Sequence, residues 1–156
     1  MRHGVFADPS EGVTSRDVPR LGKVLLTSTS AERRAWAARA LAAAGHLSAY
    51  GWLRRALWDS DEQVRASVVA AVGELDVGQC AGELAAVYAW SGPRVRREVL
   101  RAAMRLVGRA DFAGLLVLAA GDHDREVRVL AARASALLFT RGRARAGTAE
   151  LFQRRA

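Results

Sequence analysis

The sequence predicts an all-α chain, an α-solenoid of about four stacked helical hairpins. Three observations carry that prediction. A short acidic turn followed by one amphipathic helix, Asp59-Ser-Asp-Glu-Gln-Val-Arg65 onward, starts again as Asp122-His-Asp-Arg-Glu-Val-Arg128 and more loosely as Ser91-Gly-Pro-Arg-Val-Arg96. The Val64/Arg65, Val95/Arg96 and Val127/Arg128 pairs are about 31 residues apart, a period within the range of helical repeats. Ala, Leu, Val and Arg dominate, proline is scarce, and period-two alternation never lasts long enough for a strand.

Each element follows from local signals. Residues 1–16 have Gly, Pro, Ser and Thr without apolar periodicity and read as a flexible lead-in to a repeat domain over residues 17–142. Asp17 as N-cap and Pro19 in the first turn open a helix to Leu26. Thr29 and Glu32 have capping-box spacing and start a second helix, which Gly45 ends. The second hairpin pairs Leu47–Trp58, with Leu53, Leu57 and Trp58 on its apolar side, with Glu62–Leu75 across the turn Asp59–Asp61. The third pairs Gln79–Trp90 with Arg94–Val107 across Ser91–Pro93. The fourth starts at the capping residue Asp111, turns at Gly121–Asp124 and runs to Thr140, where Gly142 is expected to stop it. Residues 143–156 form a basic tail with room for one short capping helix around Thr148–Arg154. A single such hairpin cannot bury its apolar face, but neighbours stacked along an axis can.

Composition narrows the function classes. The formal charge is +8, carried almost wholly by arginine since Lys23 is the one lysine. That balance points to anionic partners. Coding bias in a GC-rich genome would also raise Ala and Arg, and is the competing reading. Cys80 stands alone, so an intrachain disulfide and a cysteine zinc cluster are excluded. Residues 1–9 lack the apolar core of a signal peptide, and no run reaches the roughly 18 apolar residues of a membrane span. The expected location is cytoplasmic, with no membrane partner.

The pattern Asp-x-Asp-x-x-Val-Arg-x-x-x-Val-x-x-Ala-Val-Gly at Asp59–Gly73 resembles HEAT repeats, and more closely the short HEAT-like repeats first described in bilin lyases. The resemblance spans Asp17 to Gly142. It is strong in the second and fourth repeats, partial in the third, where Trp90 replaces the turn Asp, and weak in the first, where Ser28 replaces it and Arg33-Arg34 replaces Val-Arg. The resemblance implies a ladder between repeats made by the turn Asp and the Arg six positions later. Asp59 with Arg65 and Asp122 with Arg128 match that spacing, and Arg96 is the third-repeat counterpart. These five residues are assigned to structure. The ladder is expected to break at the first and third repeats.

The resemblance also implies that the second helix of each hairpin lines a concave binding face. On the second helix of the third repeat, Arg94, Arg97, Arg101 and Arg105 fall within an arc of about 80°, opposite Val95, Val99, Ala103 and Leu106. Only Glu98 interrupts that stripe. Arg39 and Arg133 are the equivalents of Arg101, while Trp36 and Leu130 are equivalents of Glu98 and Leu137 of Arg105. The expected surface is basic in its middle, with Trp36 and Leu130 as apolar anchors. Its first reading is a non-catalytic scaffold or adaptor for an acidic protein or peptide segment. The alternative is a DNA or RNA backbone binder, to which the basic tail would contribute. A homodimer through an end repeat is a further expectation, set against a tail that folds back as a cap.

Chemistry is the least supported class. His3, His46 and His123 are scattered without metal-ligand spacing, and no phosphate loop or nucleophile elbow is present. No catalytic residue, metal ligand or cofactor is assigned. Asp122-His123-Asp124 reads as helix capping. The His-Glu pairs of iron-binding HEAT-like hydroxylases are missing, and a HEAT-like accessory enzyme such as a lyase stands third. Trp58 and Trp90 are expected to pack between helices and Trp52 against the preceding repeat, leaving Trp36 on the ligand side.

Overall fold

A computed structural model describes residues 12–108 and 111–153. Eight α-helices form four antiparallel hairpins: α1 (Val18–Thr27) with α2 (Ala31–Ala43), α3 (Ala49–Ala56) with α4 (Glu62–Glu74), α5 (Ala81–Trp90) with α6 (Pro93–Arg105), and α7 (Ala113–Ala120) with α8 (Arg125–Gln153). Short 3₁₀ turns at Ser15–Asp17 and Gly78–Cys80 lead into α1 and α5. The described residues contain no strand. The architecture is an all-α solenoid.

The second helices make one continuous row, α2 on α4, α4 on α6 and α6 on α8. Among the first helices, α1 packs on α3, and the later ones meet only slightly. The row of second helices is the tighter side, and small residues make it so. A Cβ on Gly73 would lie 2.8 Å from the Ala102 Cβ and 2.9 Å from its Cα, so α4 and α6 approach almost backbone to backbone. Branched and long aliphatic side chains fill the seam between the two rows: Leu25, Leu41, Leu53, Leu57, Val64, Val68, Leu84, Val99 and Leu106 are fully buried.

Several boundaries differ from the sequence expectation. The Asp17 carboxylate does not cap α1; it accepts from the Thr14 N–H and hydroxyl, closing the 3₁₀ turn before the helix. Ser30, not Thr29, caps α2 by accepting from the Arg33 N–H. Helix α8 does not stop at Gly142 but continues to Gln153. A mid-helix glycine costs about 1 kcal/mol, too little to terminate a helix flanked by Arg and Ala, both strong helix formers. The stretch treated as a separate tail thus begins as a continuation of α8. Arg154 and Arg155 lie outside the described residues, as do residues 1–11 of the lead-in.

The ladder exists, with different pairing. Arg34 places Nε and one Nη on the two oxygens of Asp59 at 2.8 and 2.9 Å, and its other Nη on the Ser28 carbonyl at 2.9 Å. Arg96 reaches Asp122 at 3.0 Å and the Tyr88 carbonyl at 3.3 Å. Each arginine therefore holds its own turn and the carboxylate of the next repeat. Arg65 and Arg128 do not pair with Asp59 and Asp122 side chains as their spacing implied. They bind the backbone carbonyls of Asp59 and Ser60, and of Asp122 and His123. The first repeat is not a break either, because Arg34 supplies the rung; its Ser28 matters only to a repeat before it. The rung that is missing lies between the second and third repeats, where Trp90 replaces the acid.

Both ladder carboxylates titrate below the ordinary 3.8. Burial pushes each upward, but hydrogen bonds from Arg34 and the Asp61 N–H at Asp59, and from Tyr88, the Asp124 N–H and Arg96 at Asp122, outweigh it. A carboxylate lowered on folding adds stability at neutral pH, and that contribution fades as pH drops below the unfolded value and through the folded one. Thermal melts of the wild type should therefore be flat above about pH 5 and fall steeply below it, with a shallower fall in the Asp59→Asn/Asp122→Asn variant. At pH 7, Asp59→Ala should cost about 2–4 kcal/mol in urea denaturation by stranding Arg34.

Trp52 lies flat on α1 over Gly22, where a Cβ would come within 2.1 Å of its ring. Gly22→Ala should therefore destabilise by about 1–3 kcal/mol despite its better helix propensity, with recovery in Gly22→Ala/Trp52→Leu.

Candidate interaction face

The outward side of α2, α4, α6 and α8 holds the arginines singled out from sequence, and the structure divides them by what they touch. Arg97 binds Asp124 at 3.1 Å and Glu126 at 2.8 Å, tying α6 to the start of α8. Its Nε is buried without a hydrogen-bond acceptor. The Asp124 bond raises its pKa above the ordinary arginine value against the effect of burial. Arg101 pairs with Glu98 one turn away, and Arg105 reaches Glu74 of α4 at 3.4 Å. The stripe is thus not the single-sign surface the α6 sequence suggests. Glu74, Asp124 and Glu126 come from neighbouring helices and reduce its charge, and a helical projection of α6 alone cannot show them.

Arg39, Arg94 and Arg133 are exposed and form no salt bridge among the described residues. Arg39 and Arg94 flank a shallow groove of about 230 Å³ across α4. Its floor is Ala66, Ser67, Ala70 and Ala71, and Glu74 and Glu98 stand at its side. The groove exists because α4 carries small residues where α2 and α6 carry Arg39, Glu98 and Arg101. It is smaller than the roughly 300 Å³ at which small-molecule pockets begin. Arg133 lines a second groove between α6 and α8 with Arg101, Arg125, Glu126 and Val129.

The apolar anchors fare differently. Leu130 is buried in the core at 9% exposure, and Trp36 is half-buried against it. Neither stands out from the face as an exposed anchor. Leu130 lies between α6 and α8 and Trp36 packs against the core, whereas a projection of one helix counts both as outside. Trp58 and Trp90, expected to pack between helices, are 55% and 84% exposed. They fall at or just beyond the C-terminal ends of α3 and α5, past the reach of the next repeat.

Asp122, Asp124 and Cys80 are engaged in structure. Asp122 is buried and accepts from Tyr88 and Arg96, with the Arg96 guanidinium 5.3 Å from the centre of the Tyr88 ring. Asp124 caps α8 through the Val127 N–H. Burial pushes the Cys80 thiol up to about 11, and it donates to the Val77 carbonyl, the state of an inert packed thiol. No group of three or more His, Cys, Asp or Glu side chains is placed to hold a metal ion among the described residues. Among them no helix is long and apolar enough to cross a membrane.

Residues 18–88 match the family model for HEAT repeats. Over that stretch the chain is built of HEAT repeats. The match covers the first two hairpins and most of α5; beyond it, the fourth hairpin repeats the Asp turn and cap of the second, and Arg96 joins the third to it by a rung of the same ladder. Comparison with curated proteins finds no match. Arg97 should behave as a structural residue and Arg39 and Arg94 as surface residues. Arg97→Ala is expected to cost about 1–2 kcal/mol. Arg39→Ala and Arg94→Ala should stay within about 0.5 kcal/mol in the same denaturant titration.

Proposed function

We propose that this chain is a non-catalytic scaffold that takes an acidic, extended protein segment across the second-helix face. HEAT repeats generally serve as protein-interaction scaffolds. The observation that carries the reading is the groove over α4, an alanine and serine floor flanked by two arginines that form no salt bridge among the described residues. A small-residue floor admits a backbone at close range. Arg39 and Arg94 then offer forked donors to carboxylates on either side. Glu74 and Glu98 along the same groove would repel a uniformly acidic chain at those points, which favours a segment with spaced acids.

Nucleic-acid backbone binding is the second reading, supported by the net charge of +8 and by exposed Arg39, Arg94 and Arg133. The pairing of Arg97, Arg101 and Arg105 with carboxylates counts against it, since a phosphate backbone needs a run of unpaired cations.

One titration series tests both readings. A labelled peptide of alternating glutamate and serine should bind the wild type, and Arg39→Glu/Arg94→Glu should weaken it by about tenfold or more. Arg101→Glu/Arg105→Glu should weaken it by less than about threefold. Unchanged binding in Arg39→Glu/Arg94→Glu would sink the groove assignment. Duplex or single-stranded oligonucleotides that bind tightly, release steeply with salt and lose affinity in the same variant would put nucleic acid in the peptide's place.

A further inference from the structure

The break in the ladder leaves a receptor. The N-caps of α4, α6 and α8 are Asp61, Gly92 and Asp124, so the ladder positions two residues earlier are Asp59, Trp90 and Asp122. At the two intact rungs the arginine of one repeat uses a single Nη, or its Nε, on its own turn and turns other donors to the next repeat's carboxylate, two from Arg34 and one from Arg96. Arg65 makes the first half of that arrangement. One Nη is fixed by the Asp59 carbonyl at 2.7 Å and the Ser60 carbonyl at 3.1 Å. The second half has no acceptor among the described residues: Trp90 stands at the acid's position with its side chain turned out, 84% exposed.

No carboxylate among the described residues fills the gap. Asp59 is held by Arg34, and Asp61 caps α4 through the Val64 N–H. The Glu62 carboxylate leans on Gly92, 2.9 Å from where a Cβ would be, and makes no salt bridge to Arg65. Arg65 is therefore a half-buried guanidinium, pre-oriented by its own turn, with its carboxylate-binding edge unused. Exposed Trp58 and Trp90 lie at the turns of the second and third hairpins, the two hairpins between which the rung is missing.

We propose that this edge is a second docking site, separate from the groove over α4, that takes an acidic peptide segment of a partner protein. One Asp or Glu side chain completes the rung on Arg65, and a neighbouring apolar side chain lies against Trp90. The occupant's chemistry is set by the intact rungs, which show what an arginine held in this way takes: a carboxylate, bidentate at 2.8 and 2.9 Å at Arg34. The indoles supply rigid apolar area beside that charge.

The test restores the rung from within. In Trp90→Asp, the new carboxylate should satisfy Arg65, raise the melting temperature by several degrees and remove the site. The probe is an N-acetylated, C-amidated hexapeptide with one aspartate beside one leucine, titrated into ¹⁵N-labelled full-length protein. The Arg65 Nε–H and Trp90 indole N–H signals should shift and saturate together. Replacing the peptide's aspartate by asparagine should weaken binding by about tenfold, and Trp90→Asp should weaken it by at least about tenfold. Trp90→Ala should weaken it by about threefold or more without raising the melting temperature, and Arg39→Glu/Arg94→Glu should leave it unchanged. Absence of a saturable shift at millimolar peptide overturns the proposal. So does binding in Trp90→Asp equal to wild type, or loss of binding in Arg39→Glu/Arg94→Glu.

Discussion

One guanidinium doing two tasks organises this solenoid. Arg34 and Arg96 each close the turn of their own hairpin through a backbone carbonyl and seize the turn carboxylate of the hairpin that follows. A turn carbonyl at a helix boundary has no partner within the helix, and a half-buried Asp needs its charge met. The planar fork of arginine answers both at once, which the point charge of lysine could not do with the same geometry. The same Asp also accepts the N–H two residues on, at 2.9 Å in both Asp59 and Asp122, so the rung fixes the turn's conformation as well as the stacking register. Apolar burial drives the helices together. The rung decides where along its neighbour each hairpin stops.

Where the rung is lost, between the second and third repeats, other contacts hold the register. On the first-helix side, Glu83 of α5 accepts from the Tyr50 hydroxyl at 2.6 Å and pairs with Arg54, both on α3. Burial, and then the hydrogen bond to Glu83, drives the Tyr50 hydroxyl well above its ordinary pKa, so it stays a donor. On the second-helix side, Gly73 admits Ala102 at near-backbone contact, and Arg105 reaches Glu74 across the same junction. The junction is secured away from its turn edge, and that edge is left with an arginine that meets no carboxylate among the described residues and an exposed tryptophan. A structural break in a repeat pattern has thus become surface chemistry, an instance of local irregularity concentrating where binding groups can sit.

The second-helix face follows the same logic of partners. Repeats place equivalent residues in register at each step, so charges on one helix meet the next helix's side chains before they meet solvent. Arg97 meets Asp124 and Glu126, and Arg105 meets Glu74. What remains available, Arg39, Arg94 and Arg133, is fewer than the sequence counts and more widely distributed. The groove over α4 owes its depth to an absence of bulk at Ser67 and Ala70, positions that carry no charge and draw no notice in a scan for binding residues.

The sequence by itself determined the helices, their pairing into hairpins and the stacking of those hairpins, because turn chemistry, caps and apolar period are local and repeat about every 31 residues. It also determined which side of each second helix is buried: Val95, Val99, Ala103 and Leu106 are all in the core. Only the tertiary structure decided which Asp each Arg binds, since spacing within one repeat cannot distinguish a partner six residues away from one in the next repeat, 25 or 26 residues on. It decided that Leu130 and Trp36 are drawn into or against the core and that Trp58 and Trp90 face out, because a projection of one helix knows nothing of its neighbours. It decided that α8 runs through Gly142, where a residue of weak helix propensity was outweighed by the strong helix formers around it. Partnering and exposure belong to pairs of elements, and they are set only once those elements are packed.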